Sequence, residues 1–249
     1  MKNVENYGEI KNKVRVHKDL TYPSANEKNT YDIYLPKDID ENLPTILWVH
    51  GGSFVAGSKE GIENYARMLA NQGYAVVGMD YQWAPEIKYP GQATLLATNP
   101  EYEKAIGLNS TIEKDQVRGS VLYCGPFDVS KMLYTGNKQI DFFTSRIGWA
   151  LLGDKNWKDG QMIKTTTIKD YVTNDFPPSL ITDGNTGSFE SQGKKLANIL
   201  SKRGLDVRSF FFDKEKYGVV NHEYQFNIGD GGAGTYCYKN TIDFLEEIL

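Results

Sequence analysis

The 249-residue sequence predicts an α/β fold with a mostly parallel sheet flanked by helices. Short apolar or alternating runs recur between turn residues, as half-buried or buried strands do. Helical patterns separate most of these runs, the arrangement that connects parallel strands. The length and the 40% hydrophobic content suit one substantial domain spanning 1–249.

The strand candidates, in order, are Val14–Asp19, Thr30–Leu35, Thr45–His50, Tyr74–Asp80, Arg118–Cys124, Ser179–Thr182 and Val207–Phe212. The first two are compatible with antiparallel pairing. Helical faces are legible in Ile62, Tyr65, Ala66 and Leu69 before Gly73, and in Phe189, Leu196, Ala197 and Leu200 before Gly204. Tyr238, Ile242, Leu245 and Leu249 mark a last helix. Another is signalled by Asn99 as cap, Pro100 in the first position and Gly107 beyond the last turn. The stretch from Ser130 to Pro178 carries a helical pattern around Phe142–Leu152 and then polar, loop-like sequence. Such an excursion between strands is either a lid over a site or a surface insertion with no part in binding, and the residues leave both open. The acidic run at Asp38–Asn42 reads as a solvated connection between strands.

Composition narrows the function. Lys and Arg number 28 against 32 Asp and Glu, a net charge of -4, which offers no basic face to nucleic acid or anionic membrane. Cys124 and Cys237 are the two cysteines, expected as buried thiols in a reducing compartment rather than a bridge. The amino terminus has no apolar leader-like stretch and no run is long enough to span a bilayer, so a soluble, cytoplasmic protein is expected. No H-x-x-x-H, C-x-x-C or clustered acidic pattern suggests a metal, and no nucleotide motif suggests a cofactor; neither is expected.

The chemistry-bearing motif is WVHGGSFVAGS, Trp48–Ser58. Acyl transfer places negative charge on a carbonyl oxygen, and glycines after a strand let backbone N–H groups turn toward that position. Gly51 and Gly52 are the candidate oxyanion-hole donors, and Ser58 is placed to cap the following helix. Downstream, Asp80-Tyr-Gln-Trp-Ala-Pro85 and Tyr89-Pro90 follow the apolar run YAVVGMD. Together with YDIYLP and HGGSF, this ordered set resembles the hormone-sensitive-lipase and carboxylesterase branch of the α/β-hydrolase fold, with Gln82 where that branch usually has arginine. The resemblance, running from about Tyr31 to the C-terminus, implies hydrolysis of small carboxylic esters.

It also implies a histidine base after the last strand and an acid after the strand before the penultimate helix. His17 lies in the polar amino-terminal part and His50 in the oxyanion loop, whereas His222 sits between Val207–Phe212 and the final helix. His222 is therefore the candidate base. Asp183, in ITDGNTGSF, is the leading acid and Asp128, in CGPFDVS, the fallback.

The nucleophile should sit in a G-x-S-x-G elbow before both, and no serine of the sequence has glycine two residues away on each side. Only Gly91–Val117 separate the DYQWAPEIKYP loop from the next strand, too few for the two βαβ units that would carry an elbow. An internal deletion at about Pro90–Gly91 is inferred, removing the serine, its strand and one helix. The lost strand would have lain between Thr45–His50 and Arg118–Cys124, and topology allows Arg118–Cys124 to be re-sited beside Thr45–His50 with a right-handed crossover. Ser53 and Cys124 lack an elbow context and are weak candidates for a substitute nucleophile. Three readings follow: an esterase, a non-catalytic relic that binds a ligand, or a truncated variant of a longer gene product.

Overall fold

The computed structural model describes residues 7–22, 29–39, 42–86, 99–107, 114–133, 137–229 and 231–249. It begins with helix α1 (Tyr7–Lys13), followed by strands β1 (Val14–Thr21), β2 (Thr30–Pro36) and β3 (Thr45–Val49). Helix α2 (Glu63–Ala70) leads into β4 (Ala75–Met79), and α3 (Pro100–Ile106) precedes β5 (Ser120–Tyr123). Helices α4 (Val129–Leu133) and α5 (Lys138–Leu152) and three 3-10 turns fill the interval before β6 (Ser179–Asp183). Helix α6 (Glu190–Lys202), β7 (Val207–Phe211), the short α7 (Lys214–Tyr217) and α8 (Ala233–Glu247) complete the chain.

All seven expected strands form, but in two sheets instead of one. The first runs β1-β2-β4-β3 and the second β5-β6-β7. Pairing is antiparallel for β1 with β2 and β2 with β4, and parallel for β3 with β4, β5 with β6 and β6 with β7. The pairing of β5 with β3 that topology allows is not formed: among the described residues these strands share no ladder. The inferred junction at Pro90–Gly91 lies outside the described residues.

A common core holds the sheets together. Helix α2 buries Tyr65, Ala66, Met68, Leu69 and Ala70 with Tyr34 and Val76 of the first sheet, while Leu180, Phe244 and Leu245 bring the second sheet and α8 into the same cluster. Trp48 of β3 approaches Tyr123 of β5 with ring centroids 6.0 Å apart, and Tyr65 packs edge-on against Trp48 at 5.0 Å. The Tyr65 and Tyr123 hydroxyls lie 3.0 Å apart, so the aromatic contact also satisfies buried polar tips. Strand alternation sends Ile46 and Trp48 into this core and leaves Leu47 and Val49 exposed on the opposite face.

One local expectation comes out differently. Ser58 precedes a 3-10 turn at Lys59–Ile62 and makes no side-chain cap, whereas α2 starts later, at Glu63. The start of α2 is anchored instead through Lys59, whose buried ammonium reaches Asp19 at 2.8 Å and Asp32 at 2.9 Å. By contrast, Asn99 caps α3 as read, accepting from the N–H groups of Glu101 at 2.8 Å and Tyr102 at 3.3 Å. Gly107 ends that helix with φ 74°, in the left-handed region.

The interval between β5 and β6 packs on a second cluster, where Leu151, Leu152, Trp157 and Ile163 meet Ala84, Tyr102 and Ile106. Phe54 and Val55 of the glycine turn, and Phe189 ahead of α6, pack against the same cluster. No helix among the described residues is long and apolar enough to cross a membrane.

Candidate active site

The site lies where β3, β5 and β6 end. Beyond β3, Gly52 takes φ 132°, and a Cβ there would stand 1.9 Å from the Ala56 carbonyl oxygen, so only glycine fits. The Gly52 carbonyl accepts from the N–H groups of Val55 and Ala56, each at 3.0 Å, closing the turn. His50 is buried, its Nδ1 lies 2.7 Å from the Gly51 carbonyl oxygen, and its ring stacks on Tyr81 at 4.4 Å. An Nδ1–H donating to that oxygen fixes the Gly51–Gly52 peptide. Because C=O and N–H of a trans peptide point oppositely, the Gly52 N–H is turned away from the ring. The sequence-based assignment of His50 to this loop matches its position here.

Asp183 ends β6 and is 2% exposed. Its Oδ1 accepts from the Gly184 N–H at 2.7 Å and its Oδ2 from the Phe189 N–H at 2.8 Å, which fixes the carboxylate plane. His222 Nδ1 lies 3.1 Å from Asp183 Oδ1, the two predicted residues meeting from loops 39 positions apart.

The loops are joined along their length. The Asn185 and Thr186 N–H groups donate to the Val220 carbonyl at 2.8 and 3.1 Å, and the His222 N–H donates to the Thr186 carbonyl at 3.0 Å. Asn185 adds side-chain bonds to the carbonyls of Phe212 and Gly218 and to the Val220 N–H. The contact is so close that a Cβ on Gly184 would stand 2.2 Å from the Asn221 carbonyl oxygen.

The hydrogen bond to Asp183 raises the His222 imidazole above its ordinary value. Partial burial opposes this, and the charges of Asp183 and Glu223 add to it. Phe189 meets the ring edge-on at 5.4 Å. Phe189 and Phe54 both pack against the cluster to which the β5–β6 interval contributes Val129, Leu151, Leu152, Trp157 and Ile163.

The remaining candidates separate. Asp128 accepts from Ser130 Oγ at the start of α4, and Asp183 is the acid paired with His222. His17 lies on β1, paired to Ile33 of β2. Ser53 is exposed with φ 52°. Cys124 and Cys237 are separate buried thiols.

Cys124 has the most to add. It follows β5 with φ 57°, accepts the Glu223 N–H at 3.3 Å and lies 3.2 Å from Gln225 Oε1. Its Sγ, an Asp183 oxygen and a His222 ring nitrogen all lie within 4.8 Å of one another. Burial, and then the nearby Asp183 carboxylate, push the thiol far above the usual range, so it stays protonated and a poor nucleophile. The sequence did not reveal this grouping, because its members are separated by 59 and 39 residues and only the turn after β5 brings the thiol inward.

Among the described residues, the hydrogen bond of the His222 ring is the one to Asp183. Directly after the histidine in the chain, Glu223 has φ 60° and its Oε1 would be 3.3 Å from a Cβ on Gly51. The glycine turn and the histidine loop are therefore neighbours.

Comparison with known proteins agrees with this architecture. Residues 31–102 match the BD-FAE family model. Esterase B of Lactobacillus rhamnosis superposes with a TM-score of 0.79 at 18% identity, covering 95% of this chain and 87% of that one. An esterase of Pyrobaculum calidifontis gives 0.68 at 18% identity, covering 98% and 89%. Brefeldin A esterase, described as a bacterial homologue of human hormone-sensitive lipase, gives 0.61 at 15% identity, covering 95% and 77%. Gut esterase 1 of Caenorhabditis briggsae is 38% identical over 55 residues, which is 21% of this chain and 10% of that protein.

Proposed function

The chain has the α/β-hydrolase fold and an esterase-like character, and on that premise we propose that it is a cytoplasmic protein directed at small carboxylic esters, whose hydrolysis runs without an acyl-serine. The observation that carries the reading is the His222–Asp183 pair at 3.1 Å beside the glycine turn. Asp183 holds the imidazole with its proton on Nδ1, leaving Nε2 to take a proton from water. That water attacks the ester carbonyl, the oxyanion is held by the Gly51 and Gly52 N–H groups, and protonated His222 returns the proton to the departing alkoxide.

The missing serine is attributed to an internal deletion at about Pro90–Gly91. Two observations support it: β3 and β5 share no ladder among the described residues, and Leu47 and Val49 are exposed apolar residues on one face of β3. A removed strand and helix would leave these features. The described part of the β5–β6 interval is read as the lid of the site, since Phe54 and Phe189 pack against the cluster that it helps to build.

Hydrolysis of a short-chain p-nitrophenyl ester, with and without a fluorophosphonate probe, tests the reading. Slow steady turnover without a burst, no covalent labelling, and a fall of about 100-fold in His222→Ala are expected. Labelling by the probe, or turnover unchanged in His222→Ala, overturns it. A second reading, a ligand-binding protein without catalysis, is favoured by the Glu223 carboxylate beside the proposed oxyanion position. Undetectable turnover by a protein with a cooperative melt would select that reading.

A further inference from the structure

The thiol at the end of β5 takes no part in the ester chemistry, yet it completes a donor set with the residues that do. We propose that Cys124, Asp183 and His222 form a binding site for one zinc ion, with a fourth position left to water. The three donor atoms already lie within 4.8 Å of one another. Tetrahedral zinc with bonds of about 2.0–2.3 Å separates its donors by roughly 3.3–3.8 Å, so small side-chain adjustments assemble the site.

The donor chemistry selects the cation. Sulfur, imidazole nitrogen and one carboxylate oxygen suit zinc and disfavour magnesium or calcium, which prefer oxygen throughout. Thiolate and carboxylate together carry the two negative charges that balance the ion. Three protein ligands, one of them a partly exposed histidine, fit the open type of zinc centre.

The surroundings are arranged to support these ligands. Asp183 is held by the N–H groups of Gly184 at 2.7 Å and Phe189 at 2.8 Å. The Glu223 N–H, 3.3 Å from Sγ, is placed to donate to a thiolate. Such outer bonds orient ligands and strengthen the site. Cys124 and Asp183 are 8% and 2% exposed, so the ion enters on the side of His222, whose side chain is 31% exposed.

Proton accounting is simple. The thiol loses its proton to solvent as the Zn–S bond forms. The single N–H proton of neutral His222 moves from Nδ1 to Nε2, which frees Nδ1 to bind the ion, so the thiol proton is the one proton released. Zinc thereby replaces a proton as the link between His222 and Asp183. The proposal does not rest on the ester reading, because the same three side chains bind the ion whether or not an ester is turned over.

The test is zinc titration of the full chain, stripped with chelator and kept reduced, against a chromophoric competitor. One zinc per chain is expected, with affinity reduced about 100-fold in both Cys124→Ser and His222→Ala and unchanged in Cys237→Ser. Cobalt(II) in place of zinc should give a thiolate charge-transfer band that Cys124→Ser abolishes. Melting curves in chelator show whether each variant folds, and Asp183→Asn supplies an isosteric second probe. No stoichiometric zinc on the native chain, or undiminished binding in folded Cys124→Ser and Asp183→Asn, overturns the site.

Discussion

Glu223 Oε1 stands 3.3 Å from the position a Cβ on Gly51 would occupy, which puts a carboxylate beside the backbone proposed to hold a developing oxyanion. The same carboxylate contributes to raising the His222 imidazole. Two opposed effects follow, since a fixed negative charge disfavours an oxyanion but favours the imidazolium formed with it. Glu223→Gln is expected to raise ester turnover at alkaline pH by roughly 2- to 5-fold, the range for an exposed charge, and to move the pH–rate midpoint downward. A rate unchanged across the whole pH range would separate Glu223 from both effects.

The pH dependence of the native chain should follow His222. Its folded pKa is raised above the unfolded value of about 6.5, so base catalysis, which needs the neutral ring, should rise through a midpoint above about 6.5 in the presence of chelator. Stability has the opposite trend. The contribution of the charged His222–Asp183 pair is fully present below the unfolded pKa and is lost as pH rises through the folded one. The difference in melting temperature between the native chain and His222→Gln should therefore shrink as pH is raised from about 5 to 9.

Gly184 separates the acid loop from the histidine loop by no more than a hydrogen atom. A methyl group there meets the Asn221 and Val220 carbonyl oxygens at 2.2 and 2.4 Å, and backbone cannot yield as a flexible side chain does. Gly184→Ala is expected to destabilise the protein by about 1–3 kcal/mol and to part His222 from Asp183. Chemical denaturation, with the imidazole proton resonances followed by NMR, checks both effects. An intact His222 resonance bonded to Asp183 would contradict the second.

Tyr65 carries much of the contact between the two sheets, since it is fully buried and touches Trp48, Tyr123, Phe226 and Tyr238. Truncation to alanine should cost about 3–5 kcal/mol, the range for a large buried aromatic. With no ladder between β3 and β5 among the described residues, it should also make urea unfolding less cooperative. Tyr65→Phe keeps the packing and removes one hydroxyl contact, so a loss of about 1 kcal/mol is expected. Equal losses in the two variants would mean that the hydrogen bond, not the ring, joins the sheets.

What the sequence determined by itself was local or tied to a motif. Seven strands were legible because alternation and bounding turn residues act within a few positions, and α3 because Asn99 and Gly107 satisfy the helix ends directly. His222 and Asp183 were legible because the family resemblance implies which two loops carry the base and the acid, and those loops hold these residues. Short elements with few periodic residues, such as α1, α4 and α7, gave too little pattern to read.

Tertiary structure alone decided the rest. The division into two sheets depends on whether β3 and β5 exchange hydrogen bonds, an interaction that neither strand encodes separately. Asp128 and Asp183 both follow strands, and packing distinguished them: one carboxylate accepts from Ser130 at a helix start, the other faces His222. Cys124 read as an ordinary buried thiol, which it is. Its placement within 4.8 Å of the acid and the base comes from parallel strands ending side by side, a proximity across long sequence separations that has no local signature.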